Sequence, residues 1–174
     1  MSAAGRSLHI GGREVQVGWE ILNIQPGAGV DHVGDVSDLS RFPADAFGRI
    51  YVSHVLEHVP HVRVRRTLAG LFRILRPEGT LYVSVPDLET LCRLMLSPRL
   101  SRGNHWYVMR MMFGGQTDAN DFHYVGWTFE LLDAALRETG FTRIRRVESL
   151  GLFADTSEHR PFGVPMSLNL VIEK

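Results

Sequence analysis

The side chains with the clearest chemical potential are two histidines and a glutamate within five positions, His54, Glu57 and His58. Histidine is the natural general base near neutral pH, because its ordinary pKa lies there. His58 is therefore the first candidate for a catalytic base, and His123 is the second. A structural alternative stays open, in which His58 is a loop residue that only bonds backbone groups.

The segment around these side chains predicts a strand, a helix and a second strand. Residues 50–56 form a mostly apolar, β-branched run, as expected of a strand that is covered on both faces. After Pro60, apolar residues recur at helical spacing, at Val64, Leu68, Leu71, Phe72 and Leu75. Apolar and polar residues then alternate over 80–85. Two strands joined by a helix of this length should be parallel.

The wording of this segment is similar to that of a known family. HVLEHV, followed by LFRILRPEGTLYVSVPD, resembles the strand-four to strand-five block of class I S-adenosylmethionine (SAM) dependent methyltransferases. Weaker similarity extends over residues 30–147. The resemblance implies a SAM-dependent methyltransferase with a small-molecule acceptor. A second hypothesis is a methyltransferase-like fold without catalysis, which serves as a binding or partner subunit.

The expected fold is α/β, with a Rossmann-like, mainly parallel sheet, flanking helices and an antiparallel last strand. One domain should span residues 1–174. Helices are also expected after Asp87 and after Thr128, whereas 99–126 looks irregular. The predicted strands are 50–56 and 80–85 at the centre, then 30–34, 20–24 and 7–10 on one side, and 141–147 and 167–173 on the other.

The first βα unit is predicted to be truncated, because the stretch between Gly12 and Trp19 is too short for a helix. The family places an acidic residue at the end of strand two, where this chain offers amides. An ordinary turn remains an alternative for the glycine pair, and a turn or helix cap for the aspartate. By resemblance, the residues that contact the cofactor are Gly11, Gly12, Asn23, Gln25, Asp35, Ser53 and His54.

A third hypothesis is a metal-dependent enzyme. Some methyltransferases that look similar here read Glu-x-x-Glu-His and bind a divalent metal, and this chain has His54-x-x-Glu57-His58. Two imidazoles and a carboxylate could hold Zn²⁺ or Fe²⁺. That spacing suits a helical turn rather than an extended strand, so it would require a bend in the chain. The sequence alone assigns no metal.

Composition excludes several classes of function. The net charge is zero at neutral pH, which argues against a general grip on nucleic acid or on an acidic membrane. Lys174 is the only lysine, so a P-loop or a pyridoxal Schiff base is not expected. Cys92 is the only cysteine, which excludes an internal disulfide. Without a signal-like or membrane-spanning apolar run, we expect a cytoplasmic protein.

A homodimer is the expected assembly. Without a first helix, apolar surface around Ile10, Val15, Val17 and Trp19 should be left partly bare, and such patches usually mark an interface. Residues 105–113 are apolar enough to supply a second contact. A symmetric pair is the commonest way to cover such a surface.

Overall fold

The computed structural model describes residues 5–174, and its strands form one sheet. The strands are β1 (Ser7–Ile10), β2 (Trp19–Asn23), β3 (His32–Val33), β4 (Phe47–Ser53), β5 (Leu75–Pro86), β6 (Arg143–Val147) and β7 (Ser167–Glu173). Their order is β3-β2-β1-β4-β5-β7-β6, with β1 to β5 parallel and β7 antiparallel to both neighbours. The predicted Rossmann-like fold is confirmed, including the parallel pairing of the two central strands.

Four α-helices accompany the sheet: α1 (His61–Ile74), α2 (Leu88–Met95), α3 (Arg102–Phe113) and α4 (Phe129–Thr139). The Thr128 hydroxyl caps α4, and Gly140, with φ of +117°, ends it. Helix α3 corrects the prediction of an irregular segment over 99–126. Among residues 5–174, every helix is too short or too polar to cross a lipid bilayer.

Helices α1 and α4 cover one face of the sheet. Leu68, Leu71 and Ile74 of α1 are buried with Leu132 and Leu136 of α4 in the main hydrophobic core. Burying one such side chain contributes about 1.5–3 kcal/mol. The apolar stripe seen in the sequence is therefore the face by which α1 packs onto the sheet.

The opposite face is covered by the segment 148–166, which connects β6 to β7. Its Phe153 ring packs against Trp19 and Tyr51, with ring centroids 5.2 Å and 4.8 Å apart. Trp19 is only 8% exposed, and Ile10 only 2%. The expectation that both are partly bare is therefore wrong, because the distant segment covers Trp19 and the main hydrophobic core buries Ile10. Of the four residues named for this surface, only Val15 and Val17 are exposed. The homodimer therefore stays a prediction, but the argument that first suggested it no longer applies.

The first crossover is much shorter than a usual parallel connection. Strands β1 and β2 pair in parallel although only eight residues, 11–18, separate them. Strand β1 advances by only about 10 Å, and eight fully extended residues can span up to about 26–29 Å. The connection can therefore return along so short a strand without a helix, which agrees with the predicted truncation.

Candidate functional site

A pocket of about 420 Å³ opens where parallel strands end. Its lining residues include those that follow or end β1, β2, β3 and β4 at their carboxyl ends. Ligands of open α/β sheets bind at this edge. Six of the residues proposed from the sequence line this one pocket: Gly11, Asn23, Gln25, Asp35, His54 and His58.

The glycine turn after β1 leaves no room for side chains. Gly11 has φ of +82°, and an added Cβ would lie 2.4 Å from Val55 Cγ2. At Gly12 an added Cβ would lie 2.4 Å from Nδ1 of the buried His9. Gly11 therefore allows the backbone to line the pocket. Gly12 does not line the pocket and instead makes room for the His9 ring.

Asn23 holds this turn in place of a helix. Its amide nitrogen donates to the carbonyl oxygens of Gly11, at 3.2 Å, and of Gly12, at 3.0 Å. Its Oδ1 accepts from the Gln25 N–H at 2.9 Å. A carboxylate could not donate these bonds, which gives a physical reason for an amide here.

Three charged residues near this turn line the pocket, Arg13, Asp35 and Arg63. Arg13 donates to Gln25 Oε1 at 2.6 Å. Asp35 Oδ1 accepts from the Ser37 N–H at 2.8 Å, and its Oδ2 lies 3.8 Å from Arg63 Nη1. Asp35 therefore has the turn role that the sequence left as an alternative, and it also lines the pocket. The sequence analysis did not identify the two arginines.

Strand β4 ends in a bend that brings His54 toward Glu57. His54 has φ of +52°, in the left-handed region. Its Nε2 lies 2.9 Å from Ser167 Oγ and its Nδ1 3.3 Å from Glu57 Oε1. Burial alone would raise the pKa of Glu57, but the imidazoles of His54 and His58 outweigh it and hold that pKa below its ordinary value. Ser53 does not line the pocket, and its buried hydroxyl has no partner among the described residues.

The two candidate bases lie together. The rings of His58 and His123 meet edge to face, with centroids 4.7 Å apart. His58 Nδ1 donates to the Phe122 carbonyl at 3.1 Å, and His123 Nδ1 to the Met111 carbonyl at 3.0 Å. A carbonyl can only accept, so each Nδ1 carries a proton and each neutral ring keeps a free lone pair on Nε2. Burial lowers the pKa of His123, which favours its neutral form.

Backbone bonds hold these histidines in register. The Glu57 carbonyl accepts from the N–H of Tyr124 at 2.8 Å and of Val125 at 3.3 Å. The loop before them is tight, because an added Cβ at Gly114 would lie 2.2 Å from the Asp121 oxygen. Residues 118–121 of this loop line the pocket, which the sequence analysis missed. Its only sequence signal is the Gly114-Gly115 pair.

The model of a family described as a methyltransferase domain matches residues 11–145. The chain belongs to this methyltransferase family. The match includes the glycine turn, the four strand ends and the histidine pair. The family expected from the strand-four to strand-five block is thereby confirmed. No curated protein sequence matches the chain.

Solved structures agree with this assignment at the level of the fold. A SAM-dependent methyltransferase from Archaeoglobus fulgidus superposes with a TM-score of 0.62 at 15% identity, over 99% of this chain and 87% of that one. A SAM-dependent methyltransferase and possible histamine N-methyltransferase from Thermotoga maritima gives 0.58 at 19% identity, over 98% and 82%. The 1,6-didemethyltoxoflavin-N1-methyltransferase of Burkholderia thailandensis, solved with its acceptor and S-adenosylhomocysteine, gives 0.59 at 16%, over 98% and 71%. Because the chain belongs to the methyltransferase family, SAM is its expected cofactor.

Proposed function

We propose that this protein transfers the methyl group of SAM to a small-molecule acceptor in the pocket at the carboxyl edge of β1 to β4. The observation that carries the proposal is the convergence of Gly11, Gln25, Asp35 and His54 on one cavity. SAM supplies the electrophilic methyl group itself. The protein's task is then to bind the two reactants, orient them and exclude water.

The residues present fit SAM. A volume of about 420 Å³ lies within the range of small-molecule sites, about 300–1,000 Å³. Gly11 provides a stretch of backbone that a ligand can approach closely. We assign Asp35 to the adenine, the Gln25 amide to the ribose, and the backbone around Gly11 and His54 to the methionine part.

The acceptor end is assigned to the side of the pocket formed by His58, Tyr124 and the loop 118–121. The free Nε2 lone pair of His58 can accept the proton that a hydroxyl or amine loses on methylation. A small acceptor is favoured because the loop closes this side. The structurally similar B. thailandensis enzyme, which was solved with bound 1,6-didemethyltoxoflavin, supports the same class.

The alternative function, binding without catalysis, also has an observation in its favour. Both amide hydrogens of Asn23 are used to hold the turn. The ribose then loses the strong acceptor that the family usually offers at this position. We rank this function second, because the pocket itself is retained.

Calorimetric titration of the full chain with SAM and with S-adenosylhomocysteine tests the proposal. We expect one saturable site per chain for each. Binding of both followed by methyl transfer from labelled SAM into a library of hydroxylated and amine acceptors supports catalysis. Binding without transfer to any acceptor supports the second function. If neither nucleotide binds at millimolar concentration, the proposed function is wrong.

A further inference from the structure

We propose that Glu57, His58 and His123 bind a divalent transition-metal ion beside the acceptor end of the pocket, whose lining includes His58. One potential ligand atom from each residue lies within 4.8 Å of the other two. Two imidazoles and one carboxylate are a donor set that suits Zn²⁺ or Fe²⁺. The site joins the 3₁₀ turn after β4 to the segment that precedes α4, which are 65 positions apart in the chain.

The tautomers of both histidines suit this role. Each Nδ1–H is held by a backbone carbonyl, Phe122 for His58 and Met111 for His123. Metal-binding histidines usually donate their second ring N–H in this way, which fixes the ring and leaves the other nitrogen as the ligand. The two rings meet edge to face. Among the described residues, neither Nε2 atom has a hydrogen-bond partner.

Glu57 supplies an independent observation. Its side chain is 1% exposed, and neither carboxylate oxygen accepts a hydrogen bond of good geometry from the described residues. Burying an unpaired carboxylate is costly, and such groups are normally paired or bound to a metal. The 3.3 Å contact with His54 is a weak compensation. A bound cation would satisfy the oxygens that the protein leaves without partners.

The structure also changes the ligand set suggested by the sequence spacing. His54 Nε2 is within hydrogen-bond distance of Ser167 Oγ, and its Nδ1 lies 3.3 Å from Glu57 Oε1. His54 does not belong to the group of converging ligand atoms, and His123 takes its place as the third ligand. Only the fold reveals this exchange, because His123 arrives from the segment before α4.

If the proposed methyltransferase function is correct, the metal also indicates the class of acceptor. Three protein ligands leave open positions, and a bound metal lowers the pKa of a hydroxyl that coordinates to it. The acceptor hydroxyl would then lose its proton to solvent rather than to His58, whose Nε2 would be bound to the metal, and its oxygen would form the new O–CH₃ bond as the S–CH₃ bond of SAM breaks. S-adenosylhomocysteine leaves as a neutral thioether. We therefore infer a hydroxylated acceptor.

The test is titration of chelator-treated full-length protein with Zn²⁺, followed by calorimetry, and with Co²⁺, followed by its visible spectrum. We expect one ion per chain, a raised melting temperature on binding, and a Co²⁺ spectrum of a site with nitrogen ligands. Glu57→Gln and His123→Gln should each weaken binding at least 30-fold. His61→Gln, at an exposed histidine at the start of α1, is the matched control and should bind as the wild type does.

Circular dichroism checks that each variant is folded. If Glu57→Gln does not fold, His123→Gln alone tests the metal site. Wild-type protein that binds no metal, or variants that bind as tightly as the wild type, would overturn the metal site. S-adenosylhomocysteine affinity is measured separately, with chelator present. If the protein binds S-adenosylhomocysteine but no metal, the proposed methyltransferase function stands and only the metal site is rejected. If it binds metal but not the nucleotide, only the methyltransferase function is rejected.

Discussion

The two halves of the sheet solve the same structural problem differently. On the side of β4 to β7, helices α1 and α4 bury the sheet with periodic apolar stripes. On the side of β1 to β3, the described connections contain no helix, and individual side chains hold and cover this part of the sheet instead. Asn23 ties the glycine turn, and Phe153 covers Trp19 from a distant segment. The edge proposed for the cofactor can thus keep its backbone shape without helices.

This comparison predicts where stability is concentrated in the shortened half. Trp19→Ala removes a buried indole that contacts Phe153 and lies under the Arg49 guanidinium, 4.9 Å from its ring centroid. We expect a loss of about 3–5 kcal/mol in the free energy of unfolding, measured by urea denaturation. Val17→Ala, at a fully exposed residue of the same half, should change it by less than about 0.5 kcal/mol. A Trp19→Ala loss under about 1 kcal/mol would mean that this half is not held by its aromatic cluster.

The second prediction separates backbone strain from crowding at the glycine turn. Gly11→Ala should cost about 2 kcal/mol in stability and about tenfold or more in S-adenosylhomocysteine affinity. Its Cβ would collide with Val55, at a positive φ. Gly18→Ala has a similar φ, +85°, but its Cβ meets nothing within 4 Å. Calorimetry should therefore show normal affinity for Gly18→Ala, and equal losses in both variants would contradict the role of Gly11.

The third prediction concerns the side-chain contact to the cofactor after β3. Asp35→Ala should lower SAM affinity about tenfold, because a hydrogen bond to a charged group contributes roughly 1.5 kcal/mol. Asp38→Ala is its matched control, since Asp38 Oδ1 holds the Ser40 N–H just as Asp35 Oδ1 holds that of Ser37. Asp38 does not line the pocket. If both variants bind SAM equally in calorimetry, the cofactor lies elsewhere.

The smallest effect is a pH dependence confined to the shortened half. Burial lowers the pKa of His9 to about 4. Between this value and the ordinary 6.5 the unfolded chain binds more protons, so stability falls as the pH drops through that window. Between pH 7 and pH 6 the loss should be about 0.7 kcal/mol. Denaturation of His9→Phe should lack this part of the slope, and an unchanged slope would show that His9 is not buried in its neutral form.

The complete half of the fold could be predicted from the sequence more closely than the shortened half. The stripe from Val64 to Phe72 defines α1 because its helical period is unbroken, whereas Leu75, its last predicted member, begins β5. Strand β4 was predicted over 50–56 but runs over 47–53, because His54 adopts a left-handed conformation that no local pattern indicates. Helix α3 was missed because its apolar residues point in several directions and only Val108 is buried. Its cap, Ser101, is the signal that was available.

The site was predictable where it depends on strand ends and not where it depends on long-range contacts. The residues at the ends of β1 to β4 follow from the parallel order, so six of the proposed positions meet in one pocket. Gly12, Ser53 and His123 lie outside the lining, Gly12 and Ser53 because successive residues of a turn or a strand face opposite ways. The pairing of His58 with His123 depends on the loop 114–121, whose path is set by tertiary contacts.

The two outer strands have a consequence for how copies of this protein can meet. Open sheet edges are templates for aggregation unless they are short or charged. At one edge β3 has two residues, and at the other β6 carries three exposed arginines, Arg143, Arg145 and Arg146. Intermolecular strand pairing is therefore disfavoured at both ends. Any self-association is expected to use the exposed aromatic side chains of α3, Trp106 and Tyr107. The sheet of one copy is not expected to pair with the sheet of another.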